Sequence, residues 1–305
     1  MPCDPIFIHA SWRAASTYVW SKFRNRPDTY CYFEPLNEHL STATHEFIDG
    51  FRPWSFAHHP PLSAPYLEEF RPLIRAGGIP GFPTRLTYGQ YCAGRETKLV
   101  DLESYLNDLA LLARQRDRRP VYGFVRTDLR VGWFRAHLPG RNIFVRREPR
   151  RQFLSMLRQG AKRNPYFLQR GLVILQHNMQ SPVFAPLVAA VNIRRLLDSS
   201  ELRDVFAGRM EHEATLRQLY IIFYFMRLLS APLGEARSDL VIDIDRLSLD
   251  VRYRAAIEID LRDLVGMAIS FSDCNVERYD ANLRWSHAFF DDLEREAEQI
   301  EIRLP

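Results

Sequence analysis

Residues 5–24 read PIFIHASWRAASTYVWSKFR, and the fold class follows from the way this stretch changes character twice. After Pro5, the run Ile6, Phe7, Ile8 has the length and composition of a buried strand. Residues 11–16 are mostly small, with a single cation, Arg13. From Thr17 the chain reads as helix through Tyr18, Val19, Trp20, Lys22, Phe23 and Arg24. Strand, tight loop and helix in succession make a cradle for an anion. The loop amides and the first-turn N–H groups converge on one spot, and the helix dipole favours negative charge there. Ser16 and Thr17 suit the N-cap and first turn, where their hydroxyls can also donate to phosphate oxygens. The loop is not a G-x-x-x-x-G-K-[ST] motif, and no Gly lies between Met1 and Gly50. Taken alone, the stretch equally fits a buried strand and helix of any α/β protein.

A second stretch, residues 142–158, reads NIFVRREPRRQFLSMLR. Ile143–Val145 is again a short strand, ended by Arg146 and Arg147. Pro149 falls where a first helical position belongs, and Phe153, Leu154 and Leu157 continue the helix. Arg147 at the strand end and Ser155, about two turns into the helix, can converge on one anion.

Together the two stretches resemble the sulfotransferase family that uses 3′-phosphoadenosine 5′-phosphosulfate. That family grips the 5′-phosphosulfate with [K/R]-S-G-[S/T]-[S/T], which here reads Arg13-Ala14-Ala15-Ser16-Thr17. It grips the 3′-phosphate with R-[D/N]-P-[R/K]-x5-S, which here reads Arg147-Glu148-Pro149-Arg150 with Ser155 at the matching offset. Ala14 and Ala15 replace a Ser and a Gly, so the loop loses one hydroxyl and its most permissive residue. Residues 120–134, PVYGFVRTDLRVGWF, resemble the family's G-F-K-x-T segment, and Leu240–Leu247 resembles its late strand followed by E-D-L. The resemblance covers 5–40 and 120–160 clearly and 215–270 more weakly. The Gly-rich C-terminal loop of the vertebrate cytosolic branch is missing, which places the likeness nearer the carbohydrate and bacterial branch.

The resemblance implies a three-layer α/β/α architecture of P-loop-like type, with a mostly parallel sheet and the nucleotide at the C-terminal strand ends. It implies 3′-phosphoadenosine 5′-phosphosulfate as co-substrate, no metal, and transfer of a sulfuryl group to a hydroxyl. Residues 30–35, YCYFEP, read as a second strand stopped by Pro35, which sets Glu34 at a strand end, where open α/β sheets carry catalytic groups. This matches the E-P-[L/A] segment of carbohydrate sulfotransferases, whose Glu is a candidate base. An acceptor hydroxyl needs one, since it is a poor nucleophile until its proton is accepted. His39 is the lesser candidate. Alternatively Glu34 pairs with a neighbouring arginine, and Glu38 and His39 form a solvated helix start. Where the family often has a Lys on the bridging oxygen, this chain has Val125 or Arg126. Arg126 is thus either an electrostatic clamp on developing charge or a surface arginine beside Asp128.

The remaining chain bounds the answer. At 305 residues, 46% hydrophobic and 26% charged, it reads as one globular domain without repeats or low-complexity tracts. The basic charge is nearly all arginine, with Lys only at 22, 98 and 162, and the net charge is +4. It suits a polyanionic nucleotide and is too dispersed for nucleic acid. Cysteines 3, 31, 92 and 274 have no metal spacing. His58 and His59 beside Pro60-Pro61 have no third ligand at useful spacing. With no signal-peptide pattern, and with Leu219–Leu229 too short to span a bilayer, a cytoplasmic protein without a transmembrane segment is expected.

Residues 41–100 are irregular and aromatic, with one helix at Tyr66–Arg75, and read as an acceptor-binding insertion. Together with the E-P-L segment they point to a glycan or glycolipid acceptor. Further helices are expected at 102–116, 150–162, 166–179, 184–197, 211–229, 251–267 and 286–302, and strands at 121–125 and 240–244. Tyr220 and Tyr224 fall where the family reads adenine, or in the core. Two other readings stand beside the sulfotransferase: a catalytically inactive nucleotide-binding or scaffold protein of the same fold, and an ATP-dependent P-loop kinase. The oligomeric state stays open.

Overall fold

The computed structural model describes residues 4–51, 62–276 and 287–302. The first half of the chain runs β1 (Ile6–His9), α1 (Ser16–Arg24), β2 (Thr29–Phe33), α2 (His45–Gly50), α3 (Val100–Arg114), β3 (Arg119–Gly123), α4 (Val131–His137) and β4 (Arg141–Arg146). It continues with α5 (Pro149–Ala161), α6 (Tyr166–His177), α7 (Ala185–Ala190), α8 (Ile193–Asp198), α9 (Ser200–Phe206) and α10 (Glu213–Arg237). The last elements are β5 (Leu240–Asp243), α11 (Ile244–Leu249), α12 (Val251–Val265) and α13 (His287–Glu298). The chain divides into two compact units, one of residues 1–87, 93–146 and 234–276, the other of 88–92, 147–233 and 277–305.

The first unit holds one sheet of five parallel strands in the order β2-β3-β1-β4-β5. Parallel strands are covered on both faces, so they read as unbroken apolar runs, as β1 and β2 do. Side chains alternate between the faces. Phe7, Tyr122 and Tyr32 stack on one of them, with neighbouring centroids 5.2 and 5.4 Å apart. The phenols of Tyr32 and Tyr122 donate to the carbonyls of Leu109 and Leu106 in α3, at 2.7 and 2.9 Å. On the opposite face Trp20 of α1 lies under Gly123, where a Cβ would sit 2.7 Å from the indole Cδ1. Arg119 crosses the same face to the carbonyls of Asp4 and of Val265 at the end of α12. Helices on both faces of a parallel sheet make a three-layer α/β/α unit.

Strand order reverses at β1. The chain moves to one side of it for β2 and β3, then crosses to the other side for β4 and β5. In open α/β sheets this switch point, at the C-terminal strand ends, is where ligands bind.

Several boundaries differ from the sequence reading. β3 begins at Arg119 and ends at Gly123, not over 121–125, because Arg119 and Pro120 pair in register with Thr29 and Tyr30 of β2. The helix expected at Tyr66–Arg75 is a 3-10 turn at Glu68–Leu73, shortened by Pro72. Part of the stretch 41–100 contributes to the core: Ile48, Leu67, Phe70 and Leu86 are fully buried. His58 and His59 lie outside the described residues.

The second unit is helical. The helix expected over 184–197 is two, α7 and α8, broken at Asn192 with φ 44°, and α9 is a further helix beyond those the sequence predicts. α10 runs eight residues past the expected end at 229, through Pro232. Among the described residues it has the length and mean hydropathy of a bilayer-crossing helix, with 56% of that window buried in the protein. Tyr220 packs edge-on against Phe153 (4.8 Å) and Phe290 (4.9 Å), and its hydroxyl donates to Glu294 at 2.6 Å. That is the core alternative for this residue.

Candidate functional site

The site begins where β1 stops. Ala10 and Ala14 are fully buried, and the turn between them closes with Ala14 N donating to Ser11 O at 3.3 Å. Arg13 has φ 67° and Ala15 φ 62°, both left-handed. An L-residue there costs roughly 1–2 kcal/mol. Left-handed residues within a turn are the geometry of an anion nest, in which successive N–H groups point into one concavity. Ser16 opens α1 with no side chain capping the helix and no acid in its first turn, while Lys22 and Arg24 occupy the last turn. The positive end of the α1 dipole faces the loop, and no acid within the first turn offsets it. Ser16 is buried, and Arg13 and Thr17 are half-buried.

A second feature sits at the end of β2. Glu34 has φ 43°; its amide donates to Gly123 O and its carbonyl accepts from Asn37 N, both at 2.8 Å. Glu34 takes this left-handed turn although Pro35 favours an extended backbone before it, and Tyr105 fastens the turn by donating to Pro35 O at 2.9 Å. The Glu34 carboxylate accepts from Arg126 Nη1 at 2.5 Å and from Asn37 Nδ2 at 3.4 Å. Arg126 Nη2 donates to Glu38 at 2.5 Å.

Arg126 is thus not a surface arginine. Its side chain is 1% exposed, against 14% for Glu34 and 29% for Glu38. Its guanidinium lies 5.1 Å from the ring centroid of Trp12, and its backbone bridges to Ser11 in the loop after β1. The pairing alternative for Glu34 is realised, and Glu38 is an ion-pair partner, not a merely solvated helix start. His39 is exposed and tilts against Phe47 at 5.5 Å.

Sequence reasoning missed His9, the last residue of β1. It is fully buried, with Nε2 donating to Asn142 Oδ1 at 3.0 Å and Nδ1 accepting from Thr127 Oγ1 at 2.7 Å. Burial pushes the imidazole down to about 4, against a smaller opposing contribution from the bond to Asn142. His9 is therefore a neutral strut joining β1 to β4 and to the segment that carries Arg126. One polar residue closing an apolar run was its only signal.

The second motif lies in the other unit. Glu148 caps α5 by accepting from the amides of Arg150 (3.0 Å) and Arg151 (2.8 Å), with Pro149 at the first helical position as expected. A carboxylate already occupies that helix end, so any phosphate contact falls to side chains. Arg147 is 6% exposed and Ser155 has no exposed surface. Arg150 forms a fork on Glu294 at 2.8 and 2.6 Å and also binds Asp291.

Among the described residues no group of His, Cys, Asp or Glu is arranged to hold a metal ion. Comparison with protein-family models, curated proteins and solved structures returned no match.

Proposed function

We propose that the chain is a sulfotransferase of P-loop-like architecture that moves a sulfuryl group from 3′-phosphoadenosine 5′-phosphosulfate to a hydroxyl of a glycan or glycolipid. The observation that carries this reading is the loop after β1. Left-handed Arg13 and Ala15 lead into the N-terminus of α1, which has no acid in its first turn, at the point where strand order reverses. A strained backbone aimed at a helix N-terminus is the arrangement expected of an anion cradle.

In this reading Arg13, the amides of Ala14 and Ala15, and Ser16 and Thr17 bind the 5′-phosphosulfate. Glu34, which follows β2 and accepts a hydrogen bond from Arg126, takes the proton of the attacking hydroxyl. Arg147 and Ser155 are assigned to the 3′-phosphate on motif resemblance alone. Positioning and charge stabilisation supply most of the rate, as in phosphoryl transfer. The proposed setting is cytoplasmic.

The burial of Ser155 favours the second reading, an inactive nucleotide-binding protein of the same fold. Calorimetric titration with adenosine 3′,5′-bisphosphate, beside adenosine 5′-monophosphate and ATP–Mg²⁺, decides among the readings. Sulfuryl transfer requires the bisphosphate to bind at least tenfold tighter than the monophosphate, about 1.4 kcal/mol. It also requires Arg13→Ala to abolish turnover. Bisphosphate binding without turnover hands the case to the inactive protein, and preferential ATP–Mg²⁺ binding to a kinase.

A further inference from the structure

The ion-pair cluster at the ends of β2 and β3 assigns a role that the motif comparison does not. A clamp on the leaving oxygen would have to point its charge at the donor. Arg126 instead spends its two terminal nitrogens on carboxylates, Nη1 on Glu34 and Nη2 on Glu38, each at 2.5 Å. The guanidinium is planar, so two carboxylates on its two terminal nitrogens are fixed relative to each other as well as to it. The Trp12 ring lies against it, and the side chain is 1% exposed. A cation this buried stays in place only while its charge is matched, and two anions match it here.

We infer that Arg126 is a positioning residue: with Glu38 as its second anchor, it holds Glu34 as the proton acceptor and does not touch the donor. This rests on the sulfuryl-transfer reading above. As transfer proceeds, the acceptor hydroxyl's proton goes to a Glu34 carboxylate oxygen while the acceptor oxygen bonds to sulfur. The bond between sulfur and the bridging oxygen breaks, and its electron pair goes to the 5′-phosphate of the departing adenosine 3′,5′-bisphosphate. Proton uptake by Glu34 removes one of the two counter-charges paired with buried Arg126, and the pair with Glu38 keeps the other in place. Two carboxylates on one buried guanidinium therefore serve the state before proton transfer and the state after it. Asn37, which donates to Glu34 and precedes Glu38 in the same turn, closes the cluster.

The two roles for Arg126 make opposite predictions for a lysine. A clamp needs a positive charge, which Arg126→Lys keeps. A fork needs two directed donors in one plane, which a lysine lacks. We would measure Arg126→Lys, Glu38→Gln and Glu38→Asp with 3′-phosphoadenosine 5′-phosphosulfate as donor and maltose or water as acceptor, and measure bisphosphate affinity by calorimetry in each. Positioning predicts a kcat at least tenfold lower in Arg126→Lys and in Glu38→Gln, with donor KM and bisphosphate Kd within twofold of wild type. It also predicts partial recovery in Glu38→Asp. Wild-type kcat in Arg126→Lys or in Glu38→Gln overturns the inference while leaving the sulfuryl-transfer reading intact. A wild-type protein that fails to bind the bisphosphate, or binds it without sulfuryl transfer to either acceptor, removes that reading, and the inference with it. Circular dichroism of each variant separates loss of fold from loss of rate.

Discussion

Replacing His9 by Gln should flatten the acid limb of the stability curve. The imidazole is fully buried at the centre of the sheet, held near 4, and its two nitrogens are committed to Asn142 and Thr127. In the unfolded chain it titrates near 6.5. Above pH 6.5 both states are neutral there and His9 adds no pH dependence. Between pH 6.5 and 4 the unfolded state binds a proton that the folded state refuses, so stability falls as pH falls. The loss attributable to His9 is about 2 kcal/mol at pH 5 and approaches about 3 kcal/mol below pH 4. Gln can keep a donor towards Asn142 but does not titrate. Urea unfolding at pH 7.5 and pH 5 should show the wild type losing about 2 kcal/mol more than His9→Gln over that interval. The NMR signals of the His9 ring should stay fixed from pH 8 to pH 5. A ring that titrates near 6, or equal pH slopes in the two proteins, would refute the buried neutral strut.

Two further substitutions probe the backbone around the site. Gly123→Ala places a methyl 2.7 Å from Trp20 Cδ1 and 2.9 Å from Cγ, so α1 or the indole must shift. A loss of about 1–3 kcal/mol is expected in chemical denaturation, and no loss would mean that α1 rides loosely on the sheet. At position 15, Ala→Gly relieves left-handed strain but gives back most of the gain through unfolded-chain entropy, so Tm should barely move. Ala15→Val should cost at least about 1 kcal/mol. Equal losses in the two variants would show that the Ala15 methyl matters, not its φ of 62°.

The elements legible in the sequence were those whose physics is local. Ile6–Ile8 and Tyr30–Phe33 read as strands because a sheet covered on both faces needs apolar residues at every position. The helix at α3 read correctly because its buried residues, among them Leu102, Tyr105, Leu106 and Leu109, repeat at helical spacing. Errors arose where a polar residue was stabilised from far away. β3 begins two residues before its apolar run because Arg119 and Pro120, loop-like in composition, pair with β2, and the Arg119 guanidinium reaches carbonyls 115 and 146 positions away. The break at Asn192 and the 3-10 turn ending at Leu73 were hidden in otherwise helical composition.

The candidate site divides along the same line. Its residues were nameable, since Arg13, Glu34 and Arg126 sit at strand ends that composition marks. Their geometry was not. Left-handed backbone at Arg13, Ala15 and Glu34 has no sequence signature when no Gly is present. Nor does a sequence show that an arginine at 126 and a glutamate 92 positions earlier share a hydrogen bond, or that His9 bonds to residues 118 and 133 positions later. These long-range polar contacts have a common cause. In a parallel sheet the C-terminal ends of adjacent strands lie side by side at one edge, where the ladder has stopped and polar side chains must find partners across strands. His9 ends β1, Glu34 follows β2, Arg126 follows β3, and Arg146 ends β4, paired with Asp243 at the end of β5. Short loops bring that row of polar groups together however distant they are in sequence. The polar cluster of this unit therefore lies along one sheet edge, and reading it requires the strand order before the motif.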